Sequence, residues 1–280
     1  MNDSSHKGRP QRKRKIPDEE KKATPLPENA SHVARVFQSY QCELDAKYDK
    51  YERLVKKSRD LTIESKRIIF LLHRVMSSSD KEEILHEAEV RLNTLMHDVI
   101  DAIASELTKP EVYQFLRAFS PGLQEFVEAV SFYHYLKNGS LIHIDEVCNP
   151  NFSHIIAKDT PGEAPLKADL PLSSFLFPLD FVLGIADLTG ELMRKCINSV
   201  GAGDIEEPFK LCVVLQDIHD AFLIHANHSK ELKRKFFTLK CSLQKVESAC
   251  YAIRIRGTEV PKHMLADFFS NEEEVPDCDI

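Results

Sequence analysis

Apolar side chains recur every three or four residues along most of this chain, the spacing of one face of an α-helix. No stretch alternates as a half-buried strand would. Between Asn29 and Lys109 neither Gly nor Pro interrupts the pattern. Ser31 is placed to cap a first helix through Val33, Phe37, Tyr40, Leu44 and Tyr48, continuing over Leu54, Leu61, Ile68, Leu71 and Leu72. That helix, roughly 45 residues long, exceeds an ordinary domain helix and should end near Ser77–Ser79. Asp80 then caps a second helix carrying Ile84, Leu85, Ala88, Leu92, Leu95, Val99 and Ile103. Pro110 suits the first turn of a third, which runs to about Lys137 before Asn138-Gly139 stops it.

Residues 139–178 lose the period. Pro150, Pro161, Pro165, Pro171 and Pro178 punctuate them, and a connection of this length is usually functional or disordered. Helices resume at about 179–200, 205–227 and 229–256. Gly257 fits a C-cap, and Pro261 opens a short helix through Ala266. The expected fold class is therefore all-α: a bundle with a long first helix and a long loop between helices three and four. Residues 1–30 read as a disordered basic segment and 31–269 as the helical domain, with 139–178 irregular. Residues 270–280 read as an acidic flexible tail.

Composition narrows the classes. A chain of 280 residues, 42% hydrophobic, buries a substantial core. There is no run of about 18 apolar residues to span a membrane, and the polar N-terminus lacks a secretory apolar region. Seven scattered cysteines without a C-x-x-C pair argue for reduced thiols rather than a disulfide or zinc framework. The net charge of −7 is uneven: residues 1–22 hold eight Lys or Arg against four acids. Within them Arg12, Lys13, Arg14 and Lys15 form a compact cluster, readable as a nuclear import signal, a nucleic-acid arm or a solubilising tail. An acidic protein that binds nucleic acid must use a local basic surface. The first helix offers one in Lys50, Arg53, Lys56, Lys57, Arg67 and Arg74, diluted by Asp60 and Glu64.

Two helical stretches carry acids one turn apart. Glu125 and Glu128 are i,i+3, and Asp187 and Glu191 are i,i+4, so each pair shares one side of its helix. Around the first pair the helix is apolar nearly throughout. Leu123, Phe126, Val127 and Val130 form one face, while Ala129, Phe132 and Leu136 flank the acids. Carboxylates held out of water need a proton, a cation or a metal. On the second stretch Asp180, Asp187, Glu191, Arg194 and Asn198 share a stripe, so Arg194 is a candidate to neutralise the acids. Gly184 and Gly190 each cost a helix about 1 kcal/mol relative to Ala, which points to close approach of another helix or a ligand.

Other motifs carry less. Glu83 and His86 form one E-x-x-H, whereas a di-iron bundle needs two copies and further glutamates. His219, His225 and His228 lack a Cys or carboxylate at ligand spacing. No P-loop, GxGxxG or G-x-S-x-G occurs.

Four segments taken together resemble the translin family, in its translin-associated factor X branch. They are KYERLVKKSRDLTIESKRIIFLLHR (48–74), GLQEFVEAVSFYHYL (122–136), DFVLGIADLTGELMRKCINSVGAGDIEEPF (180–209) and KVESACYAIRIRGTEVPKHMLAD (245–267). The resemblance implies a seven-helix translin-like bundle that pairs with translin in a hollow hetero-octamer and binds single-stranded RNA and DNA. It also implies a magnesium-dependent endoribonuclease that removes the nicked passenger strand as small RNA duplexes load onto Argonaute, in cytoplasm and nucleus. The family's nuclease acids map onto Glu125, Glu128, Asp187 and Glu191. On this basis Glu128 and Glu191 are expected as direct Mg²⁺ ligands, Asp187 as a ligand through water or the group that orients the attacking water, and Glu125 as a further ligand or general base. The rival expectation is a non-catalytic scaffold that binds nucleic acid with translin. Expressed without translin, the chain should aggregate.

Overall fold

The computed structural model describes residues 31–75, 80–149 and 170–256. Among these residues every regular element is helical. The rods are α1 (His32–Leu72), α2 (Lys81–Leu95), α3 (Asp101–Glu106), α4 (Val112–Asn138), α5 (Ile144–Val147), α6 (Pro178–Gly201), α7 (Glu207–His225) and α8 (Lys230–Arg256). A π-helical turn, Met96–Ile100, joins α2 to α3, so that 81–106 form one rod and the described helices number seven. The arm 1–30 with its Arg12–Lys15 cluster, the loop 150–169, Gly257, the helix expected at 261–266 and the tail 270–280 lie outside the described residues.

Local chemistry sets most of the helix ends. Ser31 Oγ accepts the Ala34 N–H at 3.2 Å, the expected cap of α1. Gly139 ends α4 at φ 74°, a left-handed conformation glycine adopts without steric cost, and its N–H bonds to Tyr135 O at 2.8 Å. Thr108 and Glu111 form a capping box around a 3₁₀ turn at Lys109–Glu111, with Pro110 inside it as anticipated. Three expectations need correction. Asp80 precedes α2 but its side chain makes no cap hydrogen bond. The first helix stops at Leu72 rather than near Ser77, because the next N–H groups tighten onto Leu71 and Leu72 carbonyls and fold Val75 into the core. Within 139–178, expected irregular, a His143/Glu146 capping box holds the short α5, whose Val147 is fully buried.

The chain divides into two compact units at Lys50/Tyr51. In the first, the described residues 31–50 are exposed or partly so: Val33, Phe37, Tyr40, Leu44 and Tyr48 form a solvated apolar row instead of the core face their spacing suggested. In the second, Leu54, Leu61, Ile68 and Leu72 are buried. Each contributes about 2 kcal/mol of hydrophobic stabilisation.

α6 lies at the centre, packed on α4, α7 and α8. Its approach to α4 depends on Gly184. A Cβ there would sit 2.7 Å from Val127 Cβ and 2.8 Å from Gln124 O, closer than real contacts allow. Gly190 differs, since a Cβ added there would meet nothing within 4 Å. A second close approach occurs at Gly122, after Pro121 inside α4, whose N–H donates to Ser58 Oγ at 3.1 Å.

Candidate active site

The four acids of the two one-turn pairs share one region between α4 and α6. Gly184 permits that approach, and Asp180 in the first turn of α6 pins it. The buried Asp180 carboxylate accepts from Ser120 Oγ and from the Gln124 amide at 3.0 Å. Asp180 therefore works as a clamp on α4 and does not join the acidic stripe its spacing suggested. Asp187 and Glu191 follow about two and three turns beyond Asp180, and both act electrostatically on Glu128 of α4, as does Glu125.

Glu128 is the deepest of the four, 8% exposed, on the side of α4 that its sequence flanks with Ala129 and the fully buried Phe132. Its carboxyl is pushed up to about 8, first by burial and then by the negative charges of Asp187, Glu125 and Glu191, with Lys235 opposing. All three other acids thus act on Glu128 electrostatically, which places the four in one field. At neutral pH Glu128 holds a proton.

The remaining three acids have basic partners. Lys66 of α1 pairs with Glu125 at 3.1 Å. His73 Nε2, just past the end of α1, hydrogen-bonds the Glu191 carboxylate while its ring packs on Phe132, centroids 4.9 Å apart. Arg194 stands 3.9 Å from Glu191 and over the Phe70 ring. Lys235 of α8 donates to Asp187. Arg194 was the expected neutraliser of both α6 acids, yet Asp187 is taken by Lys235 instead. In this arrangement no group of three or more His, Cys, Asp or Glu among the described residues is placed to hold a metal ion. The donors nonetheless have the hard oxygen chemistry Mg²⁺ prefers.

Sequence reasoning missed Lys66, His73 and Lys235. Lys66 and His73 sit in the segment 48–74 that carries part of the family likeness, whereas nothing local marked Lys235. The basic stripe of α1 is largely internally paired. Arg53 forks onto Glu106 at 3.2–3.3 Å, Lys57 donates to Ala102 O at 3.0 Å, and Arg67 pairs with Glu64. Lys56 and Arg74 are exposed, and Lys50 is partly so. Glu83 and His86 lie exposed on α2, and His219 stacks on Phe236. The six described cysteines are free. No helix among the described residues is long and apolar enough to cross a membrane.

The fold is an all-α bundle of the translin type, and the Translin family profile matches residues 49–257. The chain belongs to the translin family. It is 49% identical over 255 residues to Translin-associated protein X of Mus musculus, covering 89% of this chain and 87% of that one. It is 27% identical to the Translin-associated protein X homolog of Schizosaccharomyces pombe, covering 80% and 89%. Identity to Translin of Gallus gallus is 22%, covering 80% and 93%. The likeness is thus stronger to the translin-associated branch, as the sequence segments indicated. Among solved structures, AfC3PO in complex with duplex RNA superposes with a TM-score of 0.59 at 17% identity, covering 80% of this chain and 99% of that one. Apo-NeC3PO gives 0.51 at 20% identity, covering 80% and 96%.

Proposed function

We propose that this chain is the catalytic subunit of a magnesium-dependent endoribonuclease, assembled with translin and cutting single-stranded or nicked RNA. In this reading it joins a translin hetero-octamer that also binds single-stranded DNA. Its RNA includes the passenger strand of small duplexes held by Argonaute, in cytoplasm and nucleus. What carries the proposal is the convergence of four acids from α4 and α6 around one buried, protonated carboxyl. A network built for stability alone gains nothing from a desolvated acid set among three others. The names of the relatives, which associate them with translin, support the partner. The duplex RNA bound by AfC3PO supports the substrate class.

Glu128 and Glu191 would hold Mg²⁺ directly and Asp187 through a water, after Asp187 and Glu191 part from Lys235 and His73. When bound, the ion supplies positive charge against the phosphate and a water made more acidic. Because Glu128 is protonated near neutral pH, holding a cation there would be coupled to loss of that proton. Lys66 orients Glu125 at 3.1 Å, which suits that carboxylate to accept a proton from water.

A second reading, a non-catalytic scaffold, draws on two observations. Three of the acids already have basic partners, and α1 exposes the row Val33, Phe37, Tyr40, Leu44 and Tyr48 to a partner. That row serves translin pairing under both readings. The deciding assay is cleavage of a labelled single-stranded RNA by the co-purified complex. Cutting should need Mg²⁺, stop in EDTA, and be lost in Glu128→Ala or Asp187→Ala. Wild-type rates in either variant would remove the nuclease assignment and leave the scaffold.

A further inference from the structure

Beyond the acids, α4 and α6 run on into a cavity of about 670 Å³ with four lysines in its lining: Lys81, Lys137, Lys195 and Lys210. Two carboxylates share it. Asp204 is engaged in capping α7, accepting the Glu206 and Glu207 N–H groups at 3.0 and 3.2 Å. Glu207 stands 3.9 Å from Lys195. The lysines are held loosely by acids. Lys210 is 3.9 Å from Glu206, and Lys137 is 3.7 Å from Glu89 while donating to Tyr133 Oη at 2.8 Å. Lys81 forms no ion pair among the described residues.

Three features favour an anion here. Lys195, its side chain 16% exposed, has its ammonium pKa lowered first by burial; the Glu207 and Asp204 charges oppose this and the Lys81 charge adds to it. The lining holds four ammonium groups against two carboxylates, and a further anion would balance that surplus. The first turn of α2 opens at Lys81 without a cap bond from the Asp80 side chain, and its positive helix end is offset in part by Glu82 and Glu83 in the same turn. Position along the helices is the third. Lys195 is one turn beyond Glu191 on α6, a rise of about 6 Å, and Tyr135–Asn138 lie two to three turns beyond Glu128 on α4.

We infer that this cavity is a second anion subsite, which grips a backbone phosphate of the same RNA strand whose scissile bond lies at the four acids. The inference rests on the nuclease reading for the identity of the strand, and on the cavity itself for the phosphate. Lys195 and Lys81 make the direct contacts, and Lys137 and Lys210 raise the local potential. The subsite sets the strand's register, since a phosphate held beyond Glu191 limits which linkage reaches the acids.

The test uses the complex co-purified with translin. A fluorescent single-stranded RNA is titrated in EDTA, where no cleavage occurs, across a series of KCl concentrations, with wild type and the Lys81→Ala/Lys195→Ala double variant. Removing one phosphate-binding ammonium should lower the slope of log K against log[salt] by about 0.7, so the double variant should drop by about 1.4 and bind roughly 10-fold more weakly at moderate salt. Lys81→Ala alone breaks no ion pair and should drop by about 0.7, which keeps the test readable if the double variant misfolds. An unchanged slope in both variants overturns the subsite, even where the wild type cuts RNA with Mg²⁺. A reduced slope in a complex that never cuts RNA upholds the subsite and removes only the nuclease reading. Tripolyphosphate is the second probe: if it raises Tm in wild type but not in the variants, while the RNA slopes stay equal, the cavity takes a free phosphate and the strand assignment fails.

Discussion

Replacing Glu128 with Gln should stabilise the protein and silence it at once. In the fold its carboxyl titrates at about 8, against 4.5 for the unperturbed group. The native state therefore binds this proton more tightly than the unfolded chain. The group's contribution to stability is best below about pH 4.5. It falls as pH rises toward 8 and levels off beyond. At about 1.4 kcal/mol per unit, the accumulated cost is about 3 kcal/mol at pH 7 and reaches about 5 kcal/mol above pH 8. Glutamine keeps the shape and carries no charge, so it removes this cost. For a domain of this size, about 2–4 °C in Tm per kcal/mol gives Glu128→Gln a gain of roughly 6–12 °C at pH 7, larger at pH 9 and absent near pH 4. The assay is thermal unfolding of the complex in EDTA over that pH range. Mg²⁺ adds a second arm: it should raise the wild-type Tm at pH 8, where it replaces the proton, and raise that of Glu128→Gln far less. Identical pH profiles for the two proteins would show that Glu128 is not buried among like charges, and the convergence of acids would fall with it.

Lys235→Met leaves the Asp187 carboxylate without its partner. It should cost about 1–3 kcal/mol in EDTA and enlarge the stabilisation by Mg²⁺, both read as Tm shifts. Gly184→Ala drives a methyl into Val127 and the Gln124 carbonyl. It should destabilise by about 1–3 kcal/mol and slow RNA cleavage by parting α4 from α6, whereas Gly190→Ala, which meets nothing, should stabilise by about 0.5–1 kcal/mol in urea unfolding. Phe37→Glu with Leu44→Glu alters only exposed positions. The pair should leave helix content by circular dichroism intact and abolish co-purification with translin; undiminished co-purification would locate the partner surface elsewhere.

Local spacing sufficed for everything that depends on a few neighbouring residues. The helical class, the Ser31 cap, the Gly139 stop and the placing of Glu125 with Glu128 and of Asp187 with Glu191 all follow from a period of 3.6 residues and the chemistry of helix ends. The same spacing misjudged Val33 to Tyr48, because periodicity marks an apolar face without saying whether anything lies against it. The tertiary structure alone decided which acid is buried and which cation answers each of the others. Lys235 meets Asp187 across 48 positions and His73 meets Glu191 across 118, separations at which sequence spacing has no meaning. Glu125 and Glu128 look equivalent along the chain, yet one pairs with Lys66 while the other is buried, with three like charges acting on it and Lys235 opposing them. Burial and charge pairing depend on which helix lies opposite, and that is settled when Gly184 lets α6 close on α4.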